Sequence, residues 1–370
     1  MLIRIVKVQN FYNFIKRENK VFMKPLNIGT RSIGNDNPVL IVAEISGNHL
    51  QDYKLAEKTI KAAHEAGADA VKLQTYTPDT ITLNCDTDYF KLQGTIWEGK
   101  TLYELYEEAY TPWDWQPKLK QLAEELHLIC FSSPFDRTAV DFLERMGVPA
   151  YKVASFEITD IPLIEYIASK GKPIIISTGI AEINDIELAV NACRNQGNDD
   201  IILLKCTSAY PTPLADVNLK TLMDIPKRFN TLVGLSDHTQ GVSVPIAAVA
   251  LGACLVEKHI ILDRELGGPD AEFSLEPNEF KDMATSIREV EEALGKVDYT
   301  LTEKMRRSRE FARSLFIAVD VKKGEILTTE NIKSVRPGFG LPPKYLNEVL
   351  GKRAKKDIDK GTPLDWDLIE

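Results

Sequence analysis

TLVGLSDHTQGVSVPIAAVALGACLVEKHI, residues 231–260, reads as one unit of a larger pattern: an apolar run, a helical stretch and a second apolar run. Its first run, TLVGLSDH (231–238), closes on Ser236, Asp237 and His238; its second, LVEKHI (255–260), carries Glu257, Lys258 and His259. An apolar run without polar alternation predicts a strand buried on both faces, as in a parallel sheet covered by helices. Working outward, the pattern recurs in VLIVAEIS (39–46), AVKLQTY (70–76), LICFSSP (128–134), AYKVAS (150–155), PIIISTG (173–179) and IILLKCTS (201–208). Helix-like segments such as KLAEKTIKAAHEAG and IELAVNACRNQG lie between, the latter ending in the glycine expected after a helix. Eight β/α units over about 260 residues match an α/β fold of the (β/α)8 TIM-barrel type. A doubly wound sheet is the alternative, usually with fewer strands. The expected organisation is an N-terminal extension and lead-in (1–37), a barrel (38–295), a polar linker (296–310) and a small β-rich domain (311–370).

That last domain carries an internal repeat. VDVKKGEILTTENI (319–332) and KDIDKGTPLDWDLI (356–369) align at a constant offset, pairing Val321 with Ile358, Lys323 with Lys360 and Gly324 with Gly361. Each half predicts a short strand, a Lys-Gly turn and another apolar stretch. Between them SVRPGFGLPP forms a Gly/Pro-rich loop carrying Arg336.

Composition narrows the function. Hydrophobic residues make up 44% of the 370 and charged residues 27%, which suits a large core and argues against disorder. The net charge of −9 argues against a nucleic-acid partner. No uninterrupted apolar run is long enough to span a membrane. The five cysteines are odd in number, scattered and without a CxxC motif, so a reducing cytoplasm is expected rather than a disulfide framework. The first 22 residues lack the continuous apolar segment of a signal peptide and read as a dispensable extension.

The chemistry sits at the strand ends. Glu44, Lys72 with Gln74, Ser132 with Ser133, Lys152 with Ser155, and Ser177 with Thr178 close the earlier runs, and Lys205 with Thr207 and Ser208 closes the sixth. In a barrel these ends converge on the catalytic face. His238 and His259 end neighbouring strands, a placement suited to a divalent ion such as Mn²⁺; two satisfied core histidines are the alternative, and His49 is a weaker candidate ligand. Lys72 and Lys152, inside apolar runs and beside Ser133, Ser155, Ser177, Ser236 and Tyr210, predict a cage of cations and hydroxyls for a phosphate-bearing anion. A Schiff-base lysine is the rival reading. Glu44 reads equally as a group that orients a hydroxyl or as the neutraliser of Lys72. The long connection 77–112, with Tyr89, Phe90, Trp97, Tyr103, Tyr106 and Tyr110, predicts a lid whose aromatic residues contact substrate or pack onto the barrel.

Taken in order, IVAEISGNH (41–49), VKLQTYTPD (71–79), FSSPF (131–135), YKVAS (151–155), STG (177–179), KCTSAYPTP (205–213), GLSDHT (234–239), EKHI (257–260) and GGPDAEFSL (267–275) resemble the nonulosonic acid (sialic acid) synthase family. The tail, with VKKGE, ENI, VRPGFG and LGK, resembles that family's antifreeze-like (SAF) domain. The resemblance implies condensation of phosphoenolpyruvate with an acetamido sugar. It implies that Lys72, Ser133, Lys152, Ser155, Ser177, Ser208, Tyr210 and Ser236 hold phosphoenolpyruvate, with Ser208 standing where sialic acid synthases commonly carry Asn. By the same resemblance His238 and His259 hold a divalent metal, Mn²⁺ with Mg²⁺ or Co²⁺ as alternatives. Glu44, Gln74 and Asp270 lie near the sugar or the attacking water. The resemblance also implies that Arg336 reaches an acetamido group across a domain-swapped homodimer. YTPDTITL and residues 96–115 are most similar to the pseudaminic branch, whose acceptor is 2,4-diacetamido-2,4,6-trideoxy-L-altrose. Sialic and legionaminic acid synthases are the alternatives of like chemistry; a non-catalytic carbohydrate-binding protein is the alternative of a different class.

Overall fold

Apolar runs need cover on both faces, and the computed structural model, which describes residues 23–34 and 37–370, supplies it with a closed barrel inside a layer of helices. A hairpin of β1 (Leu26–Ile28) and β2 (Arg31–Ile33) comes first. The barrel follows: β3 (Leu40–Glu44), β4 (Ala70–Thr75), β5 (Ile129–Pro134), β6 (Tyr151–Val153), β7 (Ile174–Ser177), β8 (Ile201–Lys205), β9 (Leu232–Asp237) and β10 (Leu255–His259). Neighbours pair in parallel, and β10 closes on β3 with Leu255 opposite Leu40 and His259 opposite Glu44. All eight predicted runs contain one of these strands.

Side chains alternate across each strand. Ile41, Ala43, Val71 and Leu73 pack outward with helical residues such as Ala56, Ile60 and Ala63, while Leu40, Val42, Ala70, Phe131, Ile175, Ile202, Leu204 and Leu255 cluster within the barrel. The same parity continues up each strand, placing Glu44, Lys72, Lys152, Ser177, Ser236, Glu257 and His259 above this apolar floor. An interior position on β9 is glycine for a steric reason: a Cβ on Gly234 would come within 2.6 Å of both a Leu204 methyl and the Leu255 carbonyl oxygen.

Two expectations need correction. The first barrel strand is β3 at Leu40, but the lead-in before it is more than an extension, because Leu26, Ile28 and Ile33 of the hairpin are buried with the interior floor. Strands of three residues carry too little pattern to announce this. Nor do all polar strand endings converge. Ser132 bonds Thr75, which donates to Gln116 on the surrounding helix Gln116–Glu125. Asp237 and Lys258 pair with each other away from the cavity, and Lys205 donates to the Cys206 carbonyl. The extension at 1–22 lies outside the described residues.

The chain divides between Gly295 and Lys296. Within the second unit, residues 296–310 are not a plain linker: Glu303–Ser308 is a short helix capped by Thr302. β11 (Ser314–Ile317) pairs antiparallel with β12 (Ile332–Val335). The repeat folds as reciprocal halves. Val321 and Ile358, equivalent positions, exchange backbone hydrogen bonds at 2.9 and 2.8 Å. Lys323 N donates to Asp357 and Lys360 N to Asp320, both at 2.8 Å. Gly324 and Gly361 hold φ of 82° and 87°, the left-handed conformation that each Lys-Gly turn requires.

Candidate active site

The upper ends of the strands surround a cavity of about 200 Å³. A single water needs roughly 10–15 Å³, so the space suits a small organic ligand. At its base stand three buried charges. Lys72 forms ion pairs with Glu44 and, at 2.9 Å, with Glu257 Oε1; Lys152 Nζ lies 3.8 Å from the same oxygen. Lys152 also donates to Ser177 Oγ at 2.7 Å, and Ser236 Oγ to Glu257 at 3.3 Å. Burial opposes ionisation of Glu257, but Lys152 and Lys72 outweigh it and hold its carboxyl well below the usual range. Burial draws Lys72 down to about 8, with Glu257 supporting its charge. Two lysines share this inner carboxylate, and with Glu44 the cluster balances two cations against two carboxylates, while both lysines line the cavity that an anion would enter.

Hydroxyls extend that surface. Ser155 Oγ accepts from Gly179 N at 3.2 Å. A Cβ at Gly179 would fall 2.1 Å from Ser208 Oγ and 2.7 Å from Ser155 Oγ, so only glycine lets these hydroxyls crowd the loop after β7. Buried oxygens of Ser133 and Ser208 have no hydrogen-bond partner. Neither residue lines the cavity in this state, and nor does Glu44. Glu44 lies beneath Lys72 and accepts from Ser46 N at 2.9 Å; of its two readings, the geometry supports the neutraliser of Lys72. Gln74 donates to Ser46 at 2.9 Å and reaches the cavity.

His238 and His259 face each other with ring centroids 5.3 Å apart. The His238 Nδ1 edge lies 3.3 Å from the Thr207 carbonyl, an arrangement that leaves Nε2 for the cavity. His259 Nδ1 is buried without a hydrogen-bond partner, and Asp270 Oδ2 stands 3.8 Å away. Burial, then the nearby cations, push the His259 pKa well below its ordinary value, keeping it neutral as a ligand must be. Among the described residues no group of three or more His, Cys, Asp and Glu forms a metal cage. Two imidazoles, one with an unpartnered nitrogen, would fit an open divalent-metal site. His49 is not part of it: its Nε2 bonds Thr111 at 3.0 Å and its Nδ1 accepts from Gln51 N at 3.2 Å.

The connection after β4 forms the opposite wall. Helix Leu102–Ala109 presents Leu105, Tyr106 and Ala109 to the cavity, and Tyr106, Tyr76 and Phe135 follow edge to face at 5.6 and 5.1 Å. Trp97 packs 5.8 Å from Tyr210 and donates to the Pro269 carbonyl at 2.8 Å, next to Asp270. Tyr89 is exposed, and Tyr103 bonds Asp79 instead of lining the cavity. Arg336 belongs to the second unit, where it is exposed and has no ion-pair partner among the described residues.

Several contributors carry no mark in the sequence, Glu157, Phe156, Phe273 and Cys206 among them, while Glu257, expected only at a strand end beside His259, is the centre of the charge cluster. Strand parity would have found Glu257, two residues from His259 on the same face. Glu157 had no such signal, because it lies in the irregular turn Ser155–Thr159 after β6. One of its carboxylate oxygens is buried without a partner, and burial raises its pKa to about 7.

Fold and site together define a (β/α)8 protein whose mouth joins a buried cluster of lysines and glutamates to a histidine pair and an apolar wall. Comparison with known proteins gives the family. The NeuB family matches residues 59–299 and the SAF domain residues 312–370, and the chain belongs to the NeuB family. Pseudaminic acid synthase of Campylobacter jejuni subsp. jejuni serotype O:23/36 (strain 81-176) is 48% identical over 335 residues, 90% of this chain and 98% of that protein. Pseudaminic acid synthase of Helicobacter pylori (strain ATCC 700392 / 26695) is 48% identical over 334 residues, again 90% and 98%. Among solved structures, N-acetylneuraminic acid (sialic acid) synthetase from Leptospira borgpetersenii serovar Hardjo-bovis, in complex with citrate, matches with a TM-score of 0.69 and 31% identity, covering 77% of this chain and 95% of that one.

His49 gives a pH test of the scaffold. Burial lowers its pKa from 6.5 to about 4. The unfolded chain therefore binds this proton more readily, and stability falls as pH drops from 6.5 towards 4. The lost contribution is about 3 kcal/mol. Chemical denaturation across this range should show that decline, and His49→Gln should flatten it; an equally steep decline in the variant would remove His49 as its cause.

Proposed function

We propose that the chain condenses phosphoenolpyruvate with 2,4-diacetamido-2,4,6-trideoxy-L-altrose and water, releasing pseudaminic acid and phosphate. The observation that carries this reading is the shared burial of Lys72, Lys152 and Glu257 beside the His238–His259 pair. Its 48% identity to proteins named for pseudaminic acid synthesis supports the choice of sugar. C3 of phosphoenolpyruvate forms the new bond to the sugar's aldehyde carbon, whose oxygen takes up a proton. Water adds at C2, and the tetrahedral intermediate collapses to ketone and phosphate. The bridging oxygen leaves with phosphorus, so the C–O bond breaks. Lys72 and Lys152 offset the carboxylate and phosphate charge throughout.

His238 and His259 would hold a divalent ion, Mn²⁺ in preference to Mg²⁺ or Co²⁺, whose chemistry when bound is polarisation of the aldehyde oxygen. Asp270 and Gln74 flank the space left for sugar and water. The apolar wall of Leu105, Ala109 and Phe135 suits a deoxygenated, diacetamido acceptor better than a polyhydroxylated one. Five unpaired cysteines support a cytoplasmic location.

The deciding experiment supplies purified protein with phosphoenolpyruvate, Mn²⁺ and a panel of acetamido sugars, and reads product mass and phosphate release. The trideoxy sugar should exceed N-acetylmannosamine in kcat/KM, by up to roughly a hundredfold from apolar fit alone. Equal turnover of N-acetylmannosamine would transfer the reading to a sialic acid synthase, and no phosphate release with any sugar would leave a binding protein.

We further propose a domain-swapped homodimer in which Arg336 donates to an acetamido oxygen in the partner subunit's site. Arg336→Ala should raise the sugar KM strongly and leave phosphoenolpyruvate binding nearly unchanged. Mixed with Lys152→Ala chains under conditions that exchange subunits, it should regain activity; no recovery would exclude the swap.

A further inference from the structure

Behind the two histidines lies an ion pair for which the condensation has no use. Asp237 and Lys258 stand in register on β9 and β10, with side chains 2% and 0% exposed. Lys258 Nζ donates to Asp237 Oδ2 at 2.5 Å and to the Thr239 carbonyl. Asp237 also accepts from Thr239 N at 3.1 Å and Thr239 Oγ1 at 2.9 Å. The network is closed and points away from the cavity. Burying two charges is costly even when they are paired, and an apolar pair of the same volume often serves stability as well.

What the network holds is the chain on both sides of His238 and the residue immediately before His259. A void of about 10 Å³, at the lower limit of what one water needs, lies beside His238, lined by Asp237, Cys206 and Thr212 among others. We propose that Asp237 and Lys258 are positioning residues whose ion pair sets the separation and orientation of the two imidazoles. The functional consequence rests on the reading of those histidines as metal ligands; the structural consequence does not.

The test removes both charges at once, so that neither is left uncompensated. Full-length Asp237→Asn/Lys258→Met should fold with a cooperative melting transition. Its crystal structure should show the rings displaced from their 5.3 Å separation, and calorimetry should show Mn²⁺ bound roughly 10- to 100-fold more weakly. Unmoved rings would overturn the proposal, as would unchanged Mn²⁺ affinity in a chain whose wild type binds Mn²⁺ through the histidines. If the wild type takes up no Mn²⁺ there, the metal reading fails, and displaced or unmoved rings alone uphold or overturn the clamp. Should the double variant not fold, Thr239→Val deletes only the hydroxyl bond into Asp237; it should shift the same two readings in the same direction by a few-fold in affinity, and no shift in either would overturn the proposal.

Discussion

Lys72→Met is expected to lower kcat/KM for phosphoenolpyruvate by about 10³-fold, or about 4 kcal/mol of transition-state stabilisation. Two losses combine. The anion loses a buried ammonium, and Glu44 and Glu257 lose the cation that both of them pair with. Removing one partner of a buried ion pair typically costs about 3–5 kcal/mol, so the melting temperature should fall as well. The variant Lys72→Met/Glu44→Gln separates the effects, because Glu257 keeps Lys152 as a partner and Glu44 does not. It should recover much of the stability, because less charge is left uncompensated, while phosphoenolpyruvate binding measured by calorimetry stays weak. Normal binding in either variant would remove Lys72 from the anion site.

The second large effect concerns the imidazoles. Replacing both His238 and His259 by alanine should weaken Mn²⁺ binding by about 10³-fold or more, beyond the roughly 10–100-fold that contacts outside the ligands are worth. The double variant should still fold, since both side chains reach the open cavity and neither belongs to the apolar floor. Calorimetry with Mn²⁺ on the folded variant checks this. Undiminished affinity would make the histidines packing residues with an aromatic neighbour in Phe273, 5.8 and 5.0 Å from their centroids.

The sequence and the structure diverge for reasons visible in single residues. The eight barrel strands are legible because two-sided burial leaves a run of apolar residues that no surface strand would carry. The hairpin at Leu26–Ile33 is not, because six strand residues with three buried side chains look like any loop. Lys72 and Lys152 were rightly read as interior, yet Lys205 and Lys258 look the same in sequence. What separates them is parity: Lys72 and Lys152 share a face with Ala70 and Ala150 of the barrel interior, whereas Lys258 falls between Glu257 and His259 and points the other way. Site residues borne on strands were therefore within reach of a period-two count. Residues carried by irregular turns, Glu157 and Phe156 among them, were not, because their direction is set by tertiary packing.

The reciprocal bonding of the two C-terminal halves also bears on how that unit folds. Each Lys-Gly turn takes its carboxylate from the other half, Lys323 from Asp357 and Lys360 from Asp320. Neither half is satisfied alone, so each acts as the other's template. The loop carrying Arg336 lies between them, joins the two complementary fragments, and is itself bonded to both, Leu341 N donating to the Leu364 carbonyl and Leu315 N to the Leu341 carbonyl. The segment that presents Arg336 is therefore part of the same lock: Ser314 Oγ donates to the Pro337 carbonyl and accepts from Gly340 N, and a Cβ at Gly340 would fall 2.3 Å from the Leu315 carbonyl oxygen, so the two halves fix where on their surface the arginine stands.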